Sequence, residues 1–155
     1  MKRYNLHSAE TSFDEDDPEG YKTAYVRVGP EIGATMLGAT IYDLPAGQSI
    51  CPYHYEYGNE EWLLVLDGRP ILRHHEGEEE LAAGDAVSFP IGPEGAHKVT
   101  NRTDAPVRVI IFSTKNEPSV AVYPDSDKIG VWPGDKRDHI LVRRESVVDY
   151  WDRET

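Results

Sequence analysis

Residues 51–68, CPYHYEYGNEEWLLVLDG, place one histidine and three glutamates within eight positions of one another. His54 and Glu56 are two residues apart, so on a β-strand their side chains leave the same face. Glu61 returns to that face only if the chain bends, and Gly58-Asn59 are residues that favour such a turn. Side chains able to share one cation are therefore concentrated in this segment.

Short runs rich in Val, Ile, Tyr and Thr surround this segment, and Gly, Pro, Asn or Asp ends each run. Such runs, with turn residues about every 8–12 positions, are typical of an all-β sandwich or barrel. The predicted strands cover residues 21–28, 34–44, 49–57, 60–66, 70–75, 85–89, 96–101, 106–113 and 119–123. Residues 145–154, ESVVDYWDRE, predict one short C-terminal helix with Val147, Val148 and Trp151 on a shared face.

A second segment, AGDAVSFPIGPEGAHKVTN at residues 83–101, combines a strand, a Gly/Pro corner and another strand. His97 and Val99 share a face of the later strand. A single histidine in a β protein is more often a hydrogen-bonded structural residue than a ligand. On its own, His97 is therefore compatible with either role.

Together the two segments resemble the paired motifs of the cupin superfamily, whose members are double-stranded β-helix or jelly-roll barrels. The first motif of that family is a glycine, His-x-His, a glutamate and a glycine; the second is a glycine, Pro-x-Gly, a histidine and an asparagine. The residues that match at the family spacing are Glu61 with Gly68, Gly84 with Pro90 and Gly92, and His97 with Asn101. The resemblance implies an all-β jelly-roll barrel built by one domain, at residues 21–155.

Glu56 occupies the position of the second histidine in His-x-His, and this is the main chemical departure from the family. The resemblance then implies that His54, Glu56, Glu61 and His97 bind one metal. Two imidazoles and two carboxylates suit divalent Fe, Mn, Zn, Ni or Co. The loops that precede His54 and His97 are one and two residues longer than in the family, and loops tolerate such changes.

The resemblance implies metal-assisted chemistry on a small, oxygen-rich molecule, either as a dioxygenase or as an isomerase or lyase. If Glu56 does not bind the metal, two histidines and one carboxylate remain, as in non-haem Fe(II) oxygenases. A free Glu56 would also be placed to act as a general base. The alternatives are a non-catalytic cupin that binds or senses a small ligand, and an interaction protein that works through its tyrosines.

Sixteen Lys and Arg against 28 Asp and Glu give the chain a net charge of −12. Such a charge repels phosphate backbones and anionic lipid heads, so neither nucleic acid nor a membrane is an expected partner. Cys51 is the one cysteine, and no apolar stretch follows the N-terminal cations. These features predict a cytoplasmic protein.

Residues 1–20 carry two cations and six acidic groups, and this composition predicts a solvated acidic arm. Tyr53, Tyr55 and Tyr57 alternate with His54 and Glu56 and should face away from them. An aromatic stripe of this kind packs under another sheet or joins two protomers. With the habit of the family, it predicts a homodimer.

Overall fold

The computed structural model describes residues 1–154, which form thirteen β-strands and one α-helix. The strands are β1 (Ser12–Phe13), β2 (Ala24–Arg27), β3 (Leu37–Leu44), β4 (Tyr55–Tyr57), β5 (Glu61–Asp67), β6 (Ile71–His74), β7 (Gly77–Glu80), β8 (Ala86–Phe89), β9 (His97–Thr100), β10 (Val107–Thr114), β11 (Ser119–Tyr123), β12 (Lys128–Trp132) and β13 (Ile140–Arg143). The helix α1 covers Val28–Ile32, and Gly33 ends it in the left-handed conformation. No helix within residues 1–154 is long and apolar enough to cross a membrane.

The strands form an antiparallel jelly-roll barrel, which confirms the predicted all-β fold. One sheet has the order β1-β2-β3-β10-β5-β8. The opposite wall consists of β13-β12-β11-β4 and β7-β6-β9. A bridge between His54 and His97 joins these two parts, through backbone hydrogen bonds of 3.1 and 2.8 Å in the two directions.

Two apolar clusters stabilise the barrel, one on each face of the six-stranded sheet. Strand β5 shows the alternation that produces them, since Leu63 and Val65 face the interior while Leu64 and Leu66 pack against the outer cluster. The inner cluster consists of Leu44, Leu63, Val65, Leu72, Leu81, Phe89, Val99, Val107 and Val109. The buried residues of the outer cluster are Ala9, Val28, Ile41 and Ile110.

Part of the N-terminal segment packs on the outer cluster, although most of residues 1–20 are exposed. Ala9 is buried, and Tyr4 and Leu6 pack beside it. The guanidinium of Arg108 forms hydrogen bonds with both carboxylate oxygens of Asp43 and with the carbonyl oxygens of His7 and Ala9. Acidic composition alone did not indicate these contacts, because the few apolar residues of the segment make them.

The C-terminal region differs from the prediction in two ways. The predicted helix over residues 145–154 is wrong: Arg144–Ser146 form a single 3-10 turn, and residues 150–153 form turns. Two strands that the sequence did not predict, β12 and β13, instead extend the sheet of β4 and β11. In the middle of the chain, strand β7 was not predicted either, because its sequence, GEEE, lacks the apolar alternation of a strand.

Candidate metal centre

Three side chains from separate parts of the chain meet inside the barrel: His54, Glu61 and His97. His54 directly precedes β4, while Glu61 and His97 are the first residues of β5 and β9. One potential ligand atom from each lies within 4.8 Å of the other two. Tight turns before these strands thus place the three groups at one end of the barrel.

In both histidines the Nδ1 atom is held by a backbone carbonyl. Nδ1 of His54 lies 3.0 Å from the carbonyl oxygen of Pro52, and Nδ1 of His97 lies 2.9 Å from that of Gly95. A carbonyl oxygen can only accept, so each Nδ1 carries the proton and each Nε2 has a free lone pair. Histidines that bind metals are commonly oriented in this way.

His97 is the most constrained of the three residues. Its ring stacks on Phe89, with the centroids 3.7 Å apart, and its side chain is 2% exposed. Nε2 of His97 is the one buried side-chain nitrogen or oxygen within residues 1–154 that has no hydrogen-bond partner. Leaving a buried polar atom unpaired costs about 1–3 kcal/mol. A divalent transition metal fits this donor set, since it would accept the unused lone pair.

The electrostatic environment keeps the histidines neutral and favours a protonated glutamate. Burial, with a smaller effect from His54, lowers the pKa of His97 to about 3, and burial also lowers the pKa of His54. Burial, together with the negative charge of Glu56, raises the pKa of Glu61 to about 7. Oε2 of Glu61 lies 3.6 Å from Nε2 of His97, and between pH 3 and 7 neither group is charged. A bound cation would replace the proton of Glu61.

Replacing Glu61 with glutamine should stabilise the metal-free protein at high pH. Below pH 4.5 the carboxyl is protonated in both the folded and the unfolded chain, so it has no effect. Between pH 4.5 and about 7 the unfolded chain loses this proton while the folded chain keeps it, so the cost builds up to about 3 kcal/mol and stays constant at higher pH. Urea unfolding of metal-free Glu61→Gln and wild type should show this gain at pH 8 and equal stability at pH 4. Equal stability at both values would contradict the raised pKa.

Gly95 positions His97, and substitution there should weaken metal binding. A Cβ atom at Gly95 would lie 1.8 Å from the carbonyl oxygen of Pro90, so the loop has to move together with the carbonyl that holds Nδ1 of His97. Loss of an outer-shell partner typically costs 10–100-fold in metal affinity. Calorimetric titration of Gly95→Ala with Zn²⁺ should show such a loss. Gly38→Ala, where the new Cβ makes ordinary contacts, is the control and should bind like wild type.

Glu56, the fourth ligand that the family resemblance implied, lies outside the cluster. Its Oε2 accepts hydrogen bonds from Nδ2 of Asn59 at 3.1 Å and from Oγ of Ser119 at 3.3 Å. Glu56 still affects the site, because its charge is the second largest cause of the raised pKa of Glu61. Asn59 and Ser119 were not predicted as partners of Glu56, and Ser119 is 63 residues away from it in the chain.

Three further polar residues, Asn101, His74 and Cys51, are not part of the metal cluster. Asn101 is buried and donates from Nδ2 to the carbonyl oxygens of Leu44 and Ala105. His74 pairs with His97 in the register of β6 and β9 but lies outside the metal cluster. Burial raises the pKa of the Cys51 thiol to about 12, so the thiol is a poor nucleophile at neutral pH.

Aromatic rings complete the surroundings of the site and of β4. Tyr123 stacks against His54 with the centroids 5.8 Å apart. Tyr53 is buried beneath the guanidinium of Arg73, which lies 3.9 Å from its ring centroid. Tyr55 and Tyr57 meet edge to face at 5.5 Å, so two of the three predicted stripe tyrosines form a pair.

Several solved structures are similar to this chain. A sugar phosphate isomerase of the cupin superfamily from Silicibacter pomeroyi is 24% identical, with a TM-score of 0.80 over 97% of this chain and 98% of that chain. A protein from Acidithiobacillus ferrooxidans, provisionally assigned as a sugar phosphate isomerase, is 22% identical, with a TM-score of 0.77 over 84% and 81%. The polyketide cyclase RemF from Streptomyces resistomycificus is 21% identical, with a TM-score of 0.61 over 77% and 83%.

The similarity to these structures establishes the fold and leaves the activity open, because proteins of one fold carry out different reactions. No curated protein matches the sequence. The family model described as "Cupin domain" matches residues 40–113, a range that contains His54, Glu61 and His97. Residues 40–113 therefore match a cupin domain, and the solved structures share the antiparallel barrel fold of this chain.

Proposed function

We propose that the protein is a metal-dependent cupin enzyme in which His54, Glu61 and His97 hold one divalent transition metal. The observation that carries the proposal is the buried Nε2 of His97, whose lone pair has no partner among residues 1–154. The donor set of two imidazoles and one carboxylate suits Fe, Mn, Zn, Ni and Co. A metal bound there would act as a Lewis acid toward a carbonyl oxygen of the substrate.

The reaction that the surroundings support best is isomerisation of a small phosphorylated sugar. An isomerase of this type needs a base near the metal, and Glu56 is a carboxylate close to the cluster. Asn59 and Ser119 both bind its Oε2, which fixes the carboxylate and leaves Oε1 available. The same activity is named for the structural neighbour from Silicibacter pomeroyi, a similarity that supports this choice.

In the proposed reaction, Glu56 moves one proton between neighbouring carbons. Its carboxylate takes the proton from the carbon next to the substrate carbonyl, and the resulting acid returns it to the former carbonyl carbon. The hydroxyl proton passes from one substrate oxygen to the other, so the product has the same formula and no further reactant is needed. Asn59 and Ser119 orient the carboxylate throughout.

A cavity next to Glu56 supports a phosphorylated substrate. Asn59 and Ser119 line this cavity of about 480 Å³ together with three cations, Arg27, Lys115 and Lys136. None of the three cations forms an ion pair within residues 1–154, although the chain carries a net charge of −12. Glu117 is the one carboxylate among the lining residues. Unpaired cations beside a catalytic carboxylate suit a phosphate group.

The proposed isomerase can be tested with protein loaded separately with each of the five metals. Each sample is incubated with a panel of aldose and ketose phosphates in D₂O and followed by proton NMR. We expect interconversion of one pair, with deuterium entering at the exchanging carbon. A metal-loaded protein that binds these compounds but exchanges no proton would contradict the isomerase and favour the non-catalytic binding protein.

A dioxygenase is the second candidate, because the cluster contains two histidines and one carboxylate. This set is the facial triad of non-haem Fe(II) oxygenases. Oxygen consumption by the Fe(II)-loaded protein, measured with the same panel and with small phenols and diketones, separates the two candidates. Consumption that depends on both substrate and iron would favour the dioxygenase over the isomerase.

Three expectations from the sequence accompany this proposal. The protein is expected to be cytoplasmic and to form a homodimer. Residues 21–155 are expected to behave as one cupin domain, with residues 1–20 outside it. Because Ala9 is buried on the outer cluster, removal of residues 1–20 should also expose that cluster.

A further inference from the structure

Trp132, the last residue of β12, lies on the side of its sheet that carries Glu56. Residues opposite each other in antiparallel strands point to the same side. Glu56 pairs with Ala121, and Ala121 in turn pairs with Gly130. Trp132 is two residues after Gly130 and directly opposite Ser119, so it points to that side as well. The indole and the proposed base therefore face the same space.

The position of the indole depends on Gly130. A Cβ atom at Gly130 would lie less than 3.0 Å from three carbon atoms in the benzene half of the indole. That half of the ring thus fills the space that a side chain would take on the neighbouring turn of the strand. Gly130 is buried and Trp132 is half-buried. Glycine at position 130 therefore lets the indole lie close against the backbone of β12.

The indole borders the cavity of about 480 Å³ that contains the three unpaired cations. Trp132 lines this cavity together with Asn59 and Ser119, the two residues that bind Oε2 of Glu56. Of the residues in the range 1–154 that line the cavity, Trp132 has the one large apolar side chain. Ligand pockets commonly combine an apolar wall with a few polar groups that fix the orientation of the ligand. In this cavity only the indole can provide such a wall.

We propose that the indole of Trp132 binds the carbon skeleton of the sugar phosphate through contact with its C–H groups. This inference rests on the proposed function and adds a residue that selects the substrate. Hydrogens on carbons that carry hydroxyl groups are weakly positive, and the face of an aromatic ring is negative. A sugar offers such hydrogens, whereas inorganic phosphate offers none. Trp132 is thus a positioning residue, which favours sugar esters over free phosphate.

Calorimetric titration of the full chain, purified without chelators, tests the proposal with two probes. The probes are inorganic phosphate and sorbitol 6-phosphate, which has no carbonyl group and therefore cannot be isomerised. Wild type should bind sorbitol 6-phosphate about tenfold more tightly than phosphate, since aromatic contacts and buried area together contribute that much. Trp132→Ala should lose most of this preference, while its affinity for inorganic phosphate should equal that of wild type.

Three further variants separate the contact with the ligand from packing within the protein. Gly130→Ala keeps the tryptophan but displaces the indole, so the preference for sorbitol 6-phosphate should fall as in Trp132→Ala. Trp132→Phe keeps an aromatic face and should retain most of the preference. Trp62→Ala is the matched control, because Trp62 also lies in a strand and packs against another ring, that of Phe112. It should bind both probes as wild type does.

Equal affinities of Trp132→Ala and wild type for sorbitol 6-phosphate would overturn the proposal. So would a wild type that binds sorbitol 6-phosphate no more tightly than phosphate. A parallel loss of affinity for both probes in Trp132→Ala would give the indole a structural role only and would also overturn it.

The outcome for Trp132 is separate from the outcome for the isomerase. If Trp132→Ala loses the preference but wild type exchanges no proton with any sugar phosphate in D₂O, the binding role of the indole holds and the proposed reaction fails. If wild type interconverts a sugar phosphate and Trp132→Ala does so with an unchanged KM, the reaction holds and the role of Trp132 fails. Circular dichroism of each variant establishes that the barrel still forms.

Discussion

Replacing His97 with alanine is expected to lower the affinity for a divalent metal by at least about a hundredfold. Loss of an outer-shell partner alone costs 10–100-fold, and His97 would be a direct ligand. The change also removes the unpaired Nε2 and leaves the ring of Phe89 without its stacking partner. Titration with Co²⁺, followed by its visible absorption, measures the affinity. Circular dichroism measures whether the barrel is intact.

His74→Ala is the control for this experiment. His74 lies opposite His97 in the pairing of β6 and β9, yet it is not part of the cluster. We therefore expect His74→Ala to bind Co²⁺ as wild type does. Equal affinities for His97→Ala and wild type would show that the metal, if bound, uses other residues. A parallel loss in both variants would point to general damage of the barrel.

Replacing Glu56 with glutamine is expected to reduce kcat for sugar phosphate isomerisation about a hundredfold or more while the protein keeps its metal. General base catalysis typically contributes 10²–10⁴-fold, and glutamine cannot take up the proton. Its amide oxygen can still accept hydrogen bonds from Asn59 and Ser119, so the local geometry should persist. Steady-state kinetics and metal analysis of the same preparation give the two values.

The metal content of Glu56→Gln distinguishes two roles for Glu56. Retained metal with lost activity fits a base beside the metal, as the hydrogen bonds of Glu56 suggest. Lost metal would place Glu56 among the ligands, the four-residue set that the family resemblance implies. Retained metal with unchanged kcat would contradict the role of Glu56 as the base.

Strand periodicity predicted an all-β sandwich or barrel, and the resemblance to the cupin motifs added His97 to the candidate ligands His54 and Glu61. The period of two in β5 separated Leu63 and Val65 from the outward-facing Leu64, and Gly58-Asn59 indicated the bend that returns Glu61 to His54. These features depend on neighbours along the chain. Local periodicity and turn residues determine them directly.

Contacts between residues far apart in the chain could not be predicted from local periodicity or turn residues. The orientation of the Glu56 side chain depends on a hydrogen bond from Ser119 in β11, the strand that pairs with β4. No local sequence pattern predicts that pairing. Strand β13 was not predicted, and residues 145–154 were predicted as a helix because Val147, Val148 and Trp151 have helical spacing. Those residues are exposed, so the shared apolar face that would stabilise a helix is not buried.

Elemental analysis of the wild-type protein, purified without chelators or an affinity tag, tests the central claim most directly. If His54, Glu61 and His97 form a metal site, the protein should contain close to one equivalent of a divalent transition metal per chain. It should regain that equivalent after removal of the metal and dialysis against the preferred ion. Less than about a tenth of an equivalent, with no uptake of Fe, Mn, Zn, Ni or Co at concentrations where such sites saturate, would contradict the metal centre.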